Sequence, residues 1–252
     1  MRALKFSSVE ANGRHATLAV ADSLGYIYFC NEIISGGLAH IRAHSSSIQS
    51  LDFGGKGCTF LLSSSNDKTA KIWSLPDKKF RTSFVGHQNW LRSAKLSPDS
   101  TRVATCSDDG SVRIWSFDKE GGPDIKSHCV LILKDKCAHY PILEVCFNPH
   151  GDVLASLTSR EVFIWELRNA TILQKFSLEC PHFSISFHTS GSFLTAFRKD
   201  GLRYFDVFEG WLFPKRDNKT EKWYSAASGF NDDGRLFVTG DNNGFVKLWT
   251  CM

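Results

Sequence analysis

The sequence predicts an all-β fold, a β-propeller of about six four-stranded blades with the last blade three-stranded. Three observations carry this reading. The 252 residues include 20 Phe, 7 Trp and 19 Gly, with 42% hydrophobic content, which suits strands joined by tight turns around a sizeable core. One kind of turn recurs, ending at Gly13, Gly57, Ser100, Gly151, Gly191 and Gly234, at intervals of 44, 43, 51, 40 and 43 residues. A run ending in an aromatic residue follows each turn, at Phe29, Trp73, Trp115, Trp165, Phe205 and Trp249, at intervals of 44, 42, 50, 40 and 44. Two landmarks that keep one period, including the same long step, mark internal repetition. The long step places an insertion over Asp118–Ser127, a polar Gly/Pro loop.

Each turn separates two short apolar runs, as in Leu91–Leu96 and Thr101–Cys106, so every unit opens with a hairpin. The first unit (1–42) starts its inner strand near Leu4–Phe6 and ends with Leu38–Arg42. The second (43–85) ends with Lys79–Phe84, the third (86–135) with Cys129–Lys134 and the fourth (136–177) with Thr171–Phe176. The fifth (178–214) ends with Gly210–Phe213, and the sixth (215–252) stops after its third strand at Trp249. A four-stranded sheet of this kind has two apolar faces and buries neither alone; radial stacking buries both. At about 43 residues per blade the chain makes about 5.9 units. One domain over 1–252 is expected, as a tight six-bladed ring or, slightly preferred, an open ring. The exposed edges of an open ring invite strand pairing with another chain.

Composition excludes several classes. The net charge is +4 and no tail or block carries the excess, unlike a concentrated nucleic-acid patch. Eight cysteines include no C-x-x-C pair, so zinc and thioredoxin signatures are absent and reduced, mostly buried thiols in a cytosolic protein are expected. The start MRALKFSSVE has no apolar core of a signal peptide, and no stretch approaches the length of a membrane span. The nine His show no metal spacing, and Pro214–Lys222 is a mixed-charge loop rather than a phosphate-binding element. No catalytic residue, cofactor, metal or small-molecule substrate is expected.

The period, Ala43-His44 followed by NDKTAKIW to Trp73, and Gly86-His87 followed by DDGSVRIW to Trp115 resemble the WD40-repeat family. The resemblance implies a buried hydrogen-bond chain of His, Ser/Thr, turn Asp and Trp. It puts His44, Asp67 and Trp73 in one blade and His87, Asp109 and Trp115 in the next. A buried Asp needs donors, which turn amides and an imidazole supply. A hydrolase triad would occur once, not twice at the repeat period. The other units depart: Phe29 replaces Trp in the first, and Ser159 stands at the Asp place of the fourth, whose lone His is His139. Phe205 replaces Trp in the fifth, and Asn243 replaces Asp in the sixth.

Within the family, Gly86–Trp115, Arg42–Phe53, Phe183–Phe197, Tyr204–Phe213 and Val238–Trp249 resemble the proteome-of-centriole WD-repeat proteins. That resemblance implies a non-catalytic scaffold in the cytoplasm and cytoskeleton, at centriole, basal body or axoneme. The partners it implies are proteins, tubulin or microtubule-associated proteins among them. The rival is a soluble cytosolic adaptor in a signalling or ubiquitin-ligase complex, reading a peptide at the propeller mouth. An RNA-processing propeller is disfavoured by the dispersed basic residues.

Trp90 follows the His87 loop outside the Leu91/Ser93 alternation, which points it toward the mouth or against the next blade. Trp and Arg dominate interface hot spots, so Arg92 beside it is a candidate for an acidic partner. Asn66 and Asp108 each precede a turn Asp. Lys215 and Arg216 lie in the long Pro214–Lys222 loop, and long loops often carry function. Trp211 and Phe213 read as outer-strand packing residues.

Overall fold

The structure is a computed structural model. It describes residues 3–6, 18–30, 38–55, 58–118, 126–135, 140–178, 182–198, 201–208, 225–230, 235–241 and 246–250. The chain divides into two compact units, residues 1–142 and 143–252. All described secondary structure is antiparallel sheet.

The first unit holds three four-stranded sheets, each with its strands side by side in chain order. The first has β1 (Ala3–Phe6), β2 (Leu18–Ala21), β3 (Tyr26–Cys30) and β4 (Leu38–Arg42). The second has β5 (Ile48–Gly54), β6 (Phe60–Ser65), β7 (Thr69–Ser74) and β8 (Phe80–Val85). The third has β9 (Leu91–Leu96), β10 (Arg102–Ser107), β11 (Val112–Phe117) and β12 (Ser127–Leu133). The last strand thus begins on Ser127, the expected end of the insertion, whose residues 119–125 lie outside the described ones.

The second unit repeats the plan. Its first sheet has β13 (Ile142–Phe147, starting at the unit boundary), β14 (Val153–Thr158), β15 (Glu161–Glu166) and β16 (Thr171–Ser177). The next has β17 (His182–Phe187), β18 (Phe193–Arg198) and β19 (Gly201–Asp206), and the last has β20 (Ser225–Phe230), β21 (Leu236–Asp241) and β22 (Val246–Thr250). The fourth strand expected at Gly210–Phe213, with Trp211 and Phe213, lies outside the described residues. Among the described residues the sixth sheet has three strands, the number the sequence predicts.

The first hairpin turn has one geometry in three sheets. Ser100, Gly151 and Gly191 adopt φ of 52°, 76° and 75°, and their amides bond back to Ser97, Asn148 and His188 carbonyls. In the second sheet the left-handed residue is Cys58 (φ 53°), bonded back to Gly55. The sequence landmark at Gly57 therefore stands one residue early. Gly57, Gly13 and Gly234 are themselves outside the described residues.

The second hairpin turn corrects the reading of the first unit. Gly25, Lys68 and Gly110 share the left-handed conformation, at φ of 91°, 71° and 75°. Counting on from them, Cys30 takes the place of Trp73 and Trp115, while Phe29 takes the place of Ile72 and Ile114. Burial agrees: Ile27 and Phe29 are buried and Tyr28 and Cys30 less so. Phe29 is therefore not a substitute for Trp. An aromatic residue one place early kept the apparent period while belonging to the opposite face, because side chains alternate along a strand.

Neighbouring sheets within each unit pack face to face. Leu62, Ala70 and Ile72 of the second sheet share a core with Leu91, Leu96 and Trp115 of the third. Ile27 and Phe29 of the first pack with Leu51, Leu61 and Trp73 of the second. In the second unit Ala155 and Ile164 pack with Ile185, Leu194 and Phe205. Side chains on the inner strands stitch these sheets together: Ala94 N donates to Ser50 Oγ (2.9 Å) and Leu96 N to Asp52 Oδ2 (3.0 Å). Ile185 N donates to Glu144 Oε2 (2.8 Å) in the same way.

Candidate functional site

Two features of the first unit stand out: a pair of buried polar chains, and a surface beside one of them. His44 lies in the connection between β4 and β5, Ser63 in mid β6, Asp67 in the following turn, and Trp73 in β7. His44 Nδ1 is 2.8 Å from Asp67 Oδ2, and its Nε2 is 2.8 Å from Ser63 Oγ. Trp73 Nε1 donates to that same hydroxyl at 3.0 Å. Asp67 also accepts from the Thr69 hydroxyl (2.6 Å) and the Ser45 amide (3.2 Å).

The charges fix the proton positions. Burial pushes the Asp67 carboxyl up, but hydrogen bonds from His44, Thr69 and Ser45 with the His44 interaction outweigh it and hold it well below the usual carboxylate range. Burial pushes the His44 imidazole below its ordinary value, against the opposing pull of Asp67. A neutral His beside an ionised Asp carries its proton on Nδ1. Nε2 then accepts the Ser63 hydroxyl, and the Ser63 oxygen accepts the indole N–H. Every donor in the chain has one acceptor.

The third sheet repeats it. His87 Nδ1 is 2.8 Å from Asp109 Oδ2 and its Nε2 2.8 Å from Thr105 Oγ1, to which Trp115 Nε1 donates at 2.8 Å. The Ser111 hydroxyl and the Gln88 amide complete Asp109 at 2.6 and 3.0 Å. Burial pushes Asp109 up, and the His87, Ser111 and Gln88 hydrogen bonds bring it far down.

All six sequence-predicted network residues are thus brought together. Ser63 and Thr105 went unnamed in the sequence, yet a signal was there: each stands ten residues before its Trp. The hydrolase-like trio carries no chemistry here, since Ser63 and Thr105 have no exposed surface to meet a substrate. The fourth sheet keeps a fragment, Trp165 Nε1 donating to Ser156 Oγ at 2.8 Å. Ser159 does not stand at the Asp place. Four residues lie between the partners Leu157 and Val162, against five between Ser64 and Ala70, so the turn is one residue shorter and has no such place. His139 and Asn243 lie outside the described residues.

The surface feature lies at the turn end of the third sheet. Trp90 is 47% exposed, so it is not packed away against a neighbour. Its carbonyl accepts the Asp108 amide at 3.0 Å, which ties the loop to the β10–β11 turn. Arg92 donates through Nε and Nη2 to both Asp108 oxygens at 2.7 and 2.6 Å, and its guanidinium lies 5.6 Å from the Trp90 ring centroid. The Asp108 hydrogen bond raises the Arg92 pKa further. Arg92, read from the sequence as a candidate for an acidic partner, pairs within the chain with Asp108. Arg92 and Asp108 together hold Trp90 as a presented ring.

The second sheet has a smaller version, with Gln49 Nε2 donating to Ser47 Oγ at 3.2 Å. Asn66 stands in the Asp108 position there, and its Oδ1 is buried with no hydrogen-bond partner. Lys215 and Arg216 lie outside the described residues. Among the described residues, no group of three or more His, Cys, Asp or Glu could hold a metal ion, and no helix is long and apolar enough to cross a membrane.

Comparison with known proteins adds an independent line. The family model described as "WD domain, G-beta repeat" matches residues 36–74, 78–116 and 220–250. The chain is 27% identical over 231 residues to Periodic tryptophan protein 2 of Saccharomyces cerevisiae, covering 82% of this chain and 25% of that one. It is 29% identical over 149 residues to Small ribosomal subunit protein RACK1y of Oryza sativa, covering 56% and 41%. It is 23% identical over 247 residues to a p21-activated protein kinase-interacting protein 1-like protein of Gallus gallus, covering 96% and 62%. The chain spans less than two thirds of the length of each of these relatives.

Proposed function

We propose that this WD-repeat chain is a non-catalytic scaffold that binds protein partners through the surface around Trp90, at centriole, basal body or axonemal microtubules. WD-repeat proteins generally act as platforms for protein interaction. The observation that carries the binding reading is the half-exposed Trp90 ring, backed by the Arg92–Asp108 pair. A large rigid aromatic on a pre-ordered loop gives contact area at little entropic cost. The microtubule assignment rests on the resemblance of the blade sequences to proteome-of-centriole proteins. The net charge of +4 suits the acidic surface of tubulin.

Co-sedimentation tests this reading. The wild-type chain pellets with microtubules, and Trp90→Ala pellets less while keeping its far-UV circular dichroism and thermal transition. A wild-type chain that stays in the supernatant overturns the microtubule assignment. Loss of the thermal transition in Trp90→Ala makes Trp90 a packing residue instead. The second reading is a soluble cytosolic adaptor reading a peptide at the same surface. It is favoured by relatives whose names describe a ribosomal-subunit protein and a kinase-interacting protein. Affinity capture that depends on Trp90 without microtubule pelleting selects it.

A further inference from the structure

We propose that the outer side of the third sheet, at Arg113, Val130 and Ile132, binds an extended acidic segment of a partner protein. The inference is independent of the Trp90 surface. It rests on one ladder position compared in three sheets.

That position lies two residues before the Trp of the third strand, with its register partner on the fourth. In the second sheet it holds Lys71 opposite Ser83. Lys71 Nζ donates to the Ala43 carbonyl at 2.7 Å, so the cation is used inside the chain. In the fourth sheet it holds Phe163 opposite Lys175. Lys175 Nζ is 3.0 Å from Glu161 Oε1, so this cation too has its counter-group. In the third sheet the position holds Arg113 opposite Ile132.

Arg113 has no such closure. Its guanidinium lies over the Trp115 ring, 6.0 Å from the centroid. A Cβ on Gly86 would stand 2.8 Å from Arg113 Nη1 and 3.2 Å from Trp115 Cη2, so the glycine makes room for the fork. Gly86 corresponds to Ala43, yet its carbonyl accepts from Gln88 Nε2 at 3.1 Å instead. The Asp109 carboxylate of the same sheet is engaged by His87, Ser111 and Gln88. Arg113 Nε is buried without a hydrogen-bond partner, and no carboxylate among the described residues pairs with the guanidinium. A buried donor without an acceptor is costly. A planar fork held against a ring is set to take a carboxylate through two parallel N–H···O bonds.

The neighbour of this fork is apolar and exposed. β12 is the edge strand of its sheet, and its more exposed residues alternate. Val130 and Ile132 are 49% and 57% exposed, where the second sheet has the polar Ser83 opposite its cation. Lys134, the next exposed residue of this row, adds positive charge. An extended chain sets alternate side chains on one side at the same spacing. Acidic and aliphatic residues two apart can therefore meet the fork and the Val130–Ile132 pair together.

Fluorescence anisotropy tests this with a labelled peptide carrying two Glu and two Leu at alternate positions in a Gly/Ser background. The wild-type chain binds it saturably and binds its counterpart with Gln for Glu far less. Arg113→Gln weakens binding about tenfold, the worth of a charge-assisted hydrogen bond. Ile132 is exposed, so Ile132→Glu keeps the wild-type thermal transition while setting a like charge against the peptide. It weakens binding comparably and carries the test should Arg113→Gln lose its thermal transition. Trp90→Ala leaves binding unchanged. Absence of binding to the wild-type chain overturns the proposal, as does equal binding of the Gln peptide or of both variants. So does loss of binding in Trp90→Ala, which moves the peptide to the Trp90 surface. Single-stranded RNA held through Arg113, with the peptide unbound, assigns the fork to phosphate and overturns it as well.

Discussion

His44 and Asp67 are 23 residues apart in the chain and 2.8 Å apart in the fold, joined Nδ1 to Oδ2. The bond closes a path from the β4–β5 connection to the β6–β7 turn, and Ser63 extends it into the sheet as far as Trp73. A sequence element that reads as a catalytic trio is by this geometry a staple between a sheet and the strand entering it.

Removing the staple's charge exposes its worth. Asp67→Ala leaves the His44 imidazole, the Ser45 amide and the Thr69 hydroxyl without their acceptor. Leaving buried donors without their acceptor costs about 1–3 kcal/mol. Both Asp67→Ala and Asp109→Ala are expected to lower Tm by several degrees in differential scanning calorimetry. No change in either would dismiss the network as a source of stability.

The same groups set an acid limit. Asp67 and Asp109 have folded-state pKa values below their ordinary 3.8, so the unfolded chain binds more protons than the folded one there. Their stabilisation is full above that value and declines as pH falls through and below it. His44, lowered from 6.5, acts in the same direction from a higher starting point. Its unfolded form takes up a proton as pH drops below about 6.5, while the folded form resists. Urea midpoints measured from pH 7 to pH 3 are expected to fall in two stages. His44→Gln is expected to flatten the upper stage.

The indole hydrogen bonds are separable from indole packing. Trp73→Phe keeps most of the ring contact with Leu61 and the first sheet but removes the donor to Ser63, at a cost of about 1 kcal/mol for the bond plus lost volume. Ser156→Ala leaves the Trp165 N–H buried without an acceptor and is expected to destabilise by about 1–3 kcal/mol. Denaturant titrations of the two variants compare the complete network with the fragment.

Gly25 is irreplaceable for a local reason. Its φ is +91°, and a Cβ there would lie 2.2 Å from the His44 carbonyl oxygen. Gly25→Ala forces the backbone to shift where the Gly25 carbonyl also accepts the Ala43 and His44 amides. Its soluble yield and thermal midpoint are expected to drop more than those of Lys68→Ala at the corresponding turn position, where only the left-handed backbone is strained.

Much of this was legible beforehand because turns and strands are local. The Gly and Asp/Ser turns at Ser100, Gly151 and Gly191 and the strand order followed from short patterns, and the His, Asp and Trp members of the two polar chains from the resemblance to the WD40-repeat family. The errors share one cause. Phe29, Gly57 and Ser159 were each aligned by residue type, and each lies one residue from its expected structural place, because a shorter turn or a shifted aromatic leaves the approximate period unchanged.

By itself the sequence determined that the chain is built of repeated antiparallel units and where most of their turns fall, while its resemblance to the WD40-repeat family named the His, Asp and Trp members of the two polar chains. Backbone preferences and hydrophobic alternation act over a few residues, so they can be read from a few residues. Only the tertiary structure decided which face each strand presents, that Asp108 rather than a partner holds Arg92, and that Trp90 stands exposed while Ile72 is sealed. Alternation along β7 gives Ile72 and Trp73 opposite faces, and only the third sheet packed on one of them seals Ile72.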